Sequence, residues 1–69
     1  MKVGMGDKVR MVLPTGTIRC AIATSPQEPD GKVNLFVLCE PKDDVGHFFE
    51  EVPYDANQGK RTWHFEFGV

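Results

Sequence analysis

The residues with reactive or ligating side chains are few and scattered: Cys20 and Cys39, Ser25, His47 and His64, the adjacent acids Asp43-Asp44 and Glu50-Glu51, and Glu66. Nucleophilic catalysis needs a hydroxyl or thiol, a base within hydrogen-bond reach and a group that orients the base. Cys20 with His47 or His64 is the one formal cysteine pairing. Cys20 stands inside an apolar alternation, where a thiolate is disfavoured. Ser25 lies in a proline loop with no motif around it. Paired carboxylates can run acid–base hydrolysis, but neighbours on a strand point to opposite faces, so Glu50-Glu51 and Asp43-Asp44 read as solvated charge. His64 and Glu66 share a strand face at i, i+2, yet nothing fixes His47 beside them, and no metal centre is expected. Cys20 and Cys39 have no C-x-x-C partner and read as small buried apolar residues, not as a disulfide or zinc site. No Walker loop, dinucleotide fingerprint, H-x-E signature or RNP-like aromatic motif is present, and Gly4-Met5-Gly6 is too short to cradle phosphate and lies at a mobile terminus. The chain is therefore expected to be neither an enzyme nor a cofactor protein.

The residues suited to binding are more numerous. Arg10, Arg19 and Arg61 offer guanidinium forks for phosphate or carboxylate. Tyr54 can stack on a base or peptide ring. Trp63 is either a core ring or an anchor at a rim, with Thr62, His64 and Glu66 on the opposite strand face. These place the expected ligand or partner site at Arg10, Arg19, Tyr54, Arg61, Trp63 and His64.

Five extended segments must position these groups. Over residues 8–13, Val9, Met11 and Leu13 alternate with Lys8 and Arg10, the signature of a half-buried strand. Pro14-Thr15-Gly16 then makes a tight turn into residues 17–24, where Ile18, Cys20 and Ile22 alternate with Arg19, Ala21 and Ala23. The loop from Ser25 closes on Asp30-Gly31. Residues 32–40 are apolar on both faces: Val33, Leu35, Val37 and Cys39 on one, Phe36 and Leu38 on the other. Such a strand is central and bent, or its second face is sealed by another chain. Phe36, Leu38, Phe48 and Phe67 are accordingly expected at a homo-oligomer interface. An acidic loop precedes residues 47–52, read as a fourth strand in preference to a single helical turn, which would be short and marginal, and residues 60–67 form the last strand, with Trp63, Phe65 and Phe67 on an aromatic face.

Five short strands, short loops and no convincing helix predict an all-β fold: a small five-stranded antiparallel SH3-like barrel, with an OB-like barrel as the alternative. Pairing of the first and last strands would remove open edges. With 69 residues there is one domain, 1–69, which buries only about 60% of its unfolded surface; a Rossmann domain, TIM barrel or kinase does not fit. The net charge of −2 is unevenly spread. Lys2, Lys8, Arg10 and Arg19 face Asp7 alone in residues 1–19, whereas eight acids oppose Lys32 and Lys42 in 28–55. That balance disfavours duplex binding through phosphate neutralisation. No apolar run is long enough to span a membrane, and MKVGMGDKV has no signal-peptide core, so an intracellular chain is expected.

The landmarks Gly6-Asp7-Lys8-Val9, Val12-Leu13-Pro14-Thr15-Gly16, Arg19-Cys20-Ala21-Ile22, Val33-Asn34-Leu35-Phe36-Val37, Val52-Pro53-Tyr54 and Gly59-Lys60-Arg61-Thr62-Trp63-His64 resemble, in order, a group of small proteins of tailed bacteriophages and prophages. The chain departs from that pattern where Lys60-Arg61 separate Gly59 from Thr62, and where Phe65 replaces a second Trp. The resemblance implies a phage accessory protein of barrel type and supplies no reaction. It points to a non-enzymatic module in the host cytoplasm that acts stoichiometrically on a host protein. The alternatives are an oligomer that sequesters a small nucleotide signal, a virion-associated structural protein, or a weak nucleic-acid binder.

Overall fold

The computed structural model describes residues 3–65. Five strands follow one another: β1 (Lys8–Val12), β2 (Ile18–Ala23), β3 (Val33–Val37), β4 (Phe48–Val52) and β5 (Thr62–His64). Among the described residues the helical content is one 3-10 turn, Pro41–Asp43. The strands form one antiparallel sheet in the order β4-β3-β2-β1-β5, so the first and last strands pair as the sequence implied. The fold is all-β, a curled half-barrel of the small SH3-like or OB-like kind. Past β4 the chain returns to β5 through a parallel bridge between Tyr54 and Trp63. The Trp63 N–H donates to the Pro53 carbonyl and the Asp55 N–H to the Trp63 carbonyl, both at 3.0 Å. This draws the two ends of the sheet towards each other.

Turn chemistry sets the register. In the β1–β2 hairpin the Gly16 and Leu13 N–H groups donate to the Leu13 and Thr17 carbonyls, each at 2.7 Å. Gly16 has φ +95°, open to glycine and strained for a residue with a Cβ. Gly31, at φ +90°, closes the longer β2–β3 loop by donating to the Glu28 carbonyl at 2.8 Å. The terminal segment before β1 is not the mobile end expected. Val3 is buried and exchanges bonds with Gln27, N–H to side-chain oxygen and carbonyl to N–H, both at 2.9 Å. Gly6 donates to the Ala23 carbonyl.

The concave face of the sheet holds the core: Val9, Met11, Ala21, Ala23, Val33, Leu35, Val37, Val52 and Trp63, with Leu13 and Val3 at its margins. β2 overturns one expectation. Its inward residues are the alanines, while Ile18, Cys20 and Ile22 are exposed. Met11 on β1 and Trp63 on β5 are cross-strand partners, and both are fully buried on the concave face. A tightly curled sheet accommodates such bulk only where a neighbouring strand is small. The core takes the two methyl groups and turns the larger side chains outward. Cys20, expected inside, is therefore on the surface, and Cys39 is half-buried; both thiols are free.

Candidate functional site

The outward turn of β2 completes a second apolar surface. Lys8, Ile22, Phe36 and Phe48 are successive cross-strand partners from β1 to β4, so their side chains form one row on the convex face. The next row runs His64, Arg10, Cys20, and Leu38 joins it through its N–H bond to the Cys20 carbonyl at 3.0 Å. Ile18 continues the patch. The exposures are 37% for Ile22, 44% for Phe36, 52% for Phe48, 54% for Leu38 and 39% for Ile18. Isolated apolar residues on a surface need no explanation, whereas a contiguous set does. The His47 ring stacks on Phe36, with centroids 6.1 Å apart and planes 24° from parallel. Its Nδ1 is 3.2 Å from the Val37 carbonyl, which can only accept, so that nitrogen carries the proton.

Phe36, Leu38 and Phe48 thus occupy one face, as the two-sided apolarity of the third strand implied; Phe67 lies outside the described residues. Ile18, Cys20 and Ile22 belong to the same surface and were missed. Period-2 alternation separates two faces without saying which is inside.

The residues proposed for ligand binding do not converge. Arg19 is a structural fork. Its Nε and Nη2 donate to Asp43 Oδ2 and Oδ1 at 2.9 and 3.1 Å, and Glu40 lies 3.4 Å from Nη2. Asp43 also accepts the Glu40 N–H at 2.9 Å, which fastens the 3-10 turn to β2. The Arg19 hydrogen bond, followed by that of the Glu40 N–H, holds the Asp43 carboxyl below the usual carboxylate range. The Asp43-Asp44 pair is therefore split: Asp43 is engaged, and Asp44 is exposed in a left-handed conformation at φ 51°. Arg61 donates through its N–H to the Val12 carbonyl at 2.8 Å and through Nη2 to the Glu50 carbonyl at 3.0 Å, tying β4 to the start of β5.

Trp63, considered for a rim, is a core ring. It is fully buried, and its indole N–H donates to the Gly31 carbonyl at 3.1 Å. Tyr54 and Phe65 meet it edge-on, at centroid distances of 4.9 and 5.2 Å. Tyr54 is left half-exposed at the edge of this cluster. Arg10 and His64 are adjacent on the convex face. Burial first, then the Arg10 charge, pushes the His64 imidazole below its ordinary value, and its Nδ1 has no hydrogen-bond partner among the described residues.

No group of three or more metal-ligating side chains assembles among the described residues. Cys20 and Cys39 point to opposite faces, and burial pushes the Cys39 thiol up, away from nucleophilic character. Among the described residues no helix is long and apolar enough to cross a membrane. The arrangement is suited to contact, with the convex apolar face as its largest chemical feature. No protein-family model, curated protein or solved structure matches the chain.

Proposed function

We propose that the protein is a non-enzymatic binding module that works by protein–protein contact through the convex face of its sheet. The observation that carries this reading is the contiguous exposure of Ile18, Cys20, Ile22, Phe36, Leu38 and Phe48 on a chain of 69 residues. Exposed aromatic and aliphatic groups on a rigid sheet are what a protein interface desolvates, and charged groups belong at its rim. Lys8, Arg10 and Glu50 stand at the margins of this patch.

The resemblance to small phage proteins makes a protein of the bacterial host the expected target, met in fixed stoichiometry in its cytoplasm. The nucleotide-sequestering alternative draws no support from a single protomer, because Arg19 and Arg61 are committed to Asp43 and to the Glu50 carbonyl. The test compares wild type with Phe36→Asp and Tyr54→Ala in quantitative capture from host lysate. A partner held at constant stoichiometry, lost with Phe36→Asp and kept with Tyr54→Ala, supports the reading. A partner held equally by Phe36→Asp refutes it.

A further inference from the structure

We propose that in the free protein the convex face is covered by a second copy of this chain, related by a two-fold axis that runs parallel to the strands between β2 and β3, so that a host protein meets this face by displacing that copy. The inference rests on the reading of this face as a contact platform and names what covers it when no other partner is bound. Three observations lead to it.

The first is area. Aromatic side chains bury roughly 150–250 Å² each, so half-exposed Phe36 and Phe48 leave about 200 Å² uncovered. With Ile18, Cys20, Ile22 and Leu38 the apolar patch is on the order of 500 Å², near the top of what a monomer ordinarily shows. A rim of Lys8, Asn34, His47 and Glu50 brings it towards the roughly 600–800 Å² per partner of a specific interface.

The second is that pairing along the outer edge of β4 is obstructed. Glu51 sits at φ 51° beside a register shift against β3. Its N–H is turned to the Asn34 side chain of β3 at 2.9 Å, and the Glu50 carbonyl is taken by Arg61. A kinked edge with one carbonyl already taken resists strand addition, which at β4 favours association through the face.

The third is charge. The face is basic along β1, at Lys8 and Arg10, and acidic along β4, at Glu50. A two-fold axis across the strands would lay β1 on the partner's β1 and β4 on its β4, setting like charges together. An axis along the strands lays β4 over the partner's β1 instead. Phe48 then covers the aliphatic stem of the partner's Lys8, and Glu50, one residue pair further along, comes within reach of that ammonium. At the centre Phe36 meets the partner's Ile22, and Leu38 meets the partner's Cys20. The patch is complementary to itself under this one operation, as an isologous interface requires.

The geometry can be read out through Cys20. A strand spacing of about 4.8 Å and a sheet separation of about 10 Å put the two Cys20 Cα atoms roughly 11 Å apart, with side chains directed inward. That is too far for a disulfide and suits a short bismaleimide. In a Cys39→Ser background, bismaleimidoethane is expected to yield a covalent dimer, and Phe36→Asp to abolish it. Sedimentation equilibrium should give a dimer with a Kd in the micromolar range. Lys8→Glu or Glu50→Lys alone should weaken it by about three- to tenfold, and the double exchange should restore it. A wild-type chain that stays monomeric overturns the homodimer. If Phe36→Asp nevertheless loses a captured host protein, the contact reading stands without it. A dimer indifferent to Phe36→Asp and Phe48→Asp overturns the proposal, and a dimer that the double charge exchange fails to rescue overturns the axis.

Discussion

Replacing Trp63 by Phe tests whether the indole is a load on the core or a ring awaiting a ligand. The side chain is fully buried, packed edge-on by Tyr54 and Phe65, and its N–H donates to the Gly31 carbonyl. Phenylalanine removes that hydrogen bond, a net loss of about 1 kcal/mol, and strands an acceptor, which adds about 1 kcal/mol or more. The smaller ring leaves an unfilled space between Met11 and Tyr54. Core cavities of a few atoms destabilise by a further 1 kcal/mol or so. The sum is about 2–4 kcal/mol, set against roughly 3–10 kcal/mol of total stability for a chain of this size. For so small a domain each kcal/mol moves Tm by about 4–8 °C, so a fall of roughly 10–25 °C is expected. Thermal and urea unfolding followed by far-ultraviolet circular dichroism measures it without relying on the lost fluorophore. A shift under about 3 °C would refute the placement of Trp63 in the core and return it to the surface as a candidate ligand contact.

Four further outcomes follow from the same packing. Gly31→Ala should destabilise by about 1 kcal/mol or more in urea unfolding, because φ is +90° there, although the new methyl group would meet Tyr54 only at an ordinary contact distance of 3.7 Å. Arg19→Gln should release the 3-10 turn, so amide exchange at Asp44, whose N–H donates to the Pro41 carbonyl, should quicken while exchange at Leu35 is unchanged. Asp43 is held below its unfolded value by Arg19; its contribution is complete above about pH 4 and is lost as pH falls through the lowered folded value, so acid should erase the difference between wild type and Arg19→Gln. The His64 imidazole is depressed by burial and by Arg10, so the unfolded chain takes up the proton first. The urea midpoint should hold above about pH 6.5 and decline below it, and His64→Leu should flatten that decline; an unchanged slope would contradict it.

Much of the fold was legible because its signals are local. Pro14-Thr15-Gly16 and Asp30-Gly31 announce turns through residues whose dihedral preferences leave few alternatives. The alternation Val9, Met11 against Lys8, Arg10 identifies an inner face because the other choice would bury two charges. The two faces of the third strand are legible for the same kind of reason, since Phe36 and Leu38 are too large to vanish from the face opposite Val33, Leu35 and Val37. β2 offers no such constraint. Ile18, Cys20 and Ile22 on one side and Ala21 and Ala23 on the other are all compatible with a core. The choice goes with a concave face already filled by large side chains from other strands, Met11 on β1, Leu35 on β3 and Trp63 on β5, the last of them some forty residues away in sequence. The register and the closure of the barrel decide this, and neither is written in any window of β2.

The same non-local choice explains why the site was half seen. From the third and fourth strands alone, Phe36, Leu38 and Phe48 form an apolar edge of the sheet, which a modest partner would cover. Once β2 presents Ile18, Cys20 and Ile22 beside them, the patch reaches from β4 to the margin of β1, where Lys8 takes over from the apolar row. The arginines fared the other way. Each of Arg10, Arg19 and Arg61 carries the fork that binds phosphate or carboxylate, but composition does not say whether the carboxylate belongs to a ligand or to the chain. Asp43, 24 residues beyond Arg19, and the Glu50 carbonyl meet two of those forks from within. What remains on the surface is apolar at the centre, basic on one side and acidic on the other. A pocket for an anion would need its cations gathered; a surface that recognises a surface needs them at opposite rims, and that is where Lys8 and Glu50 stand.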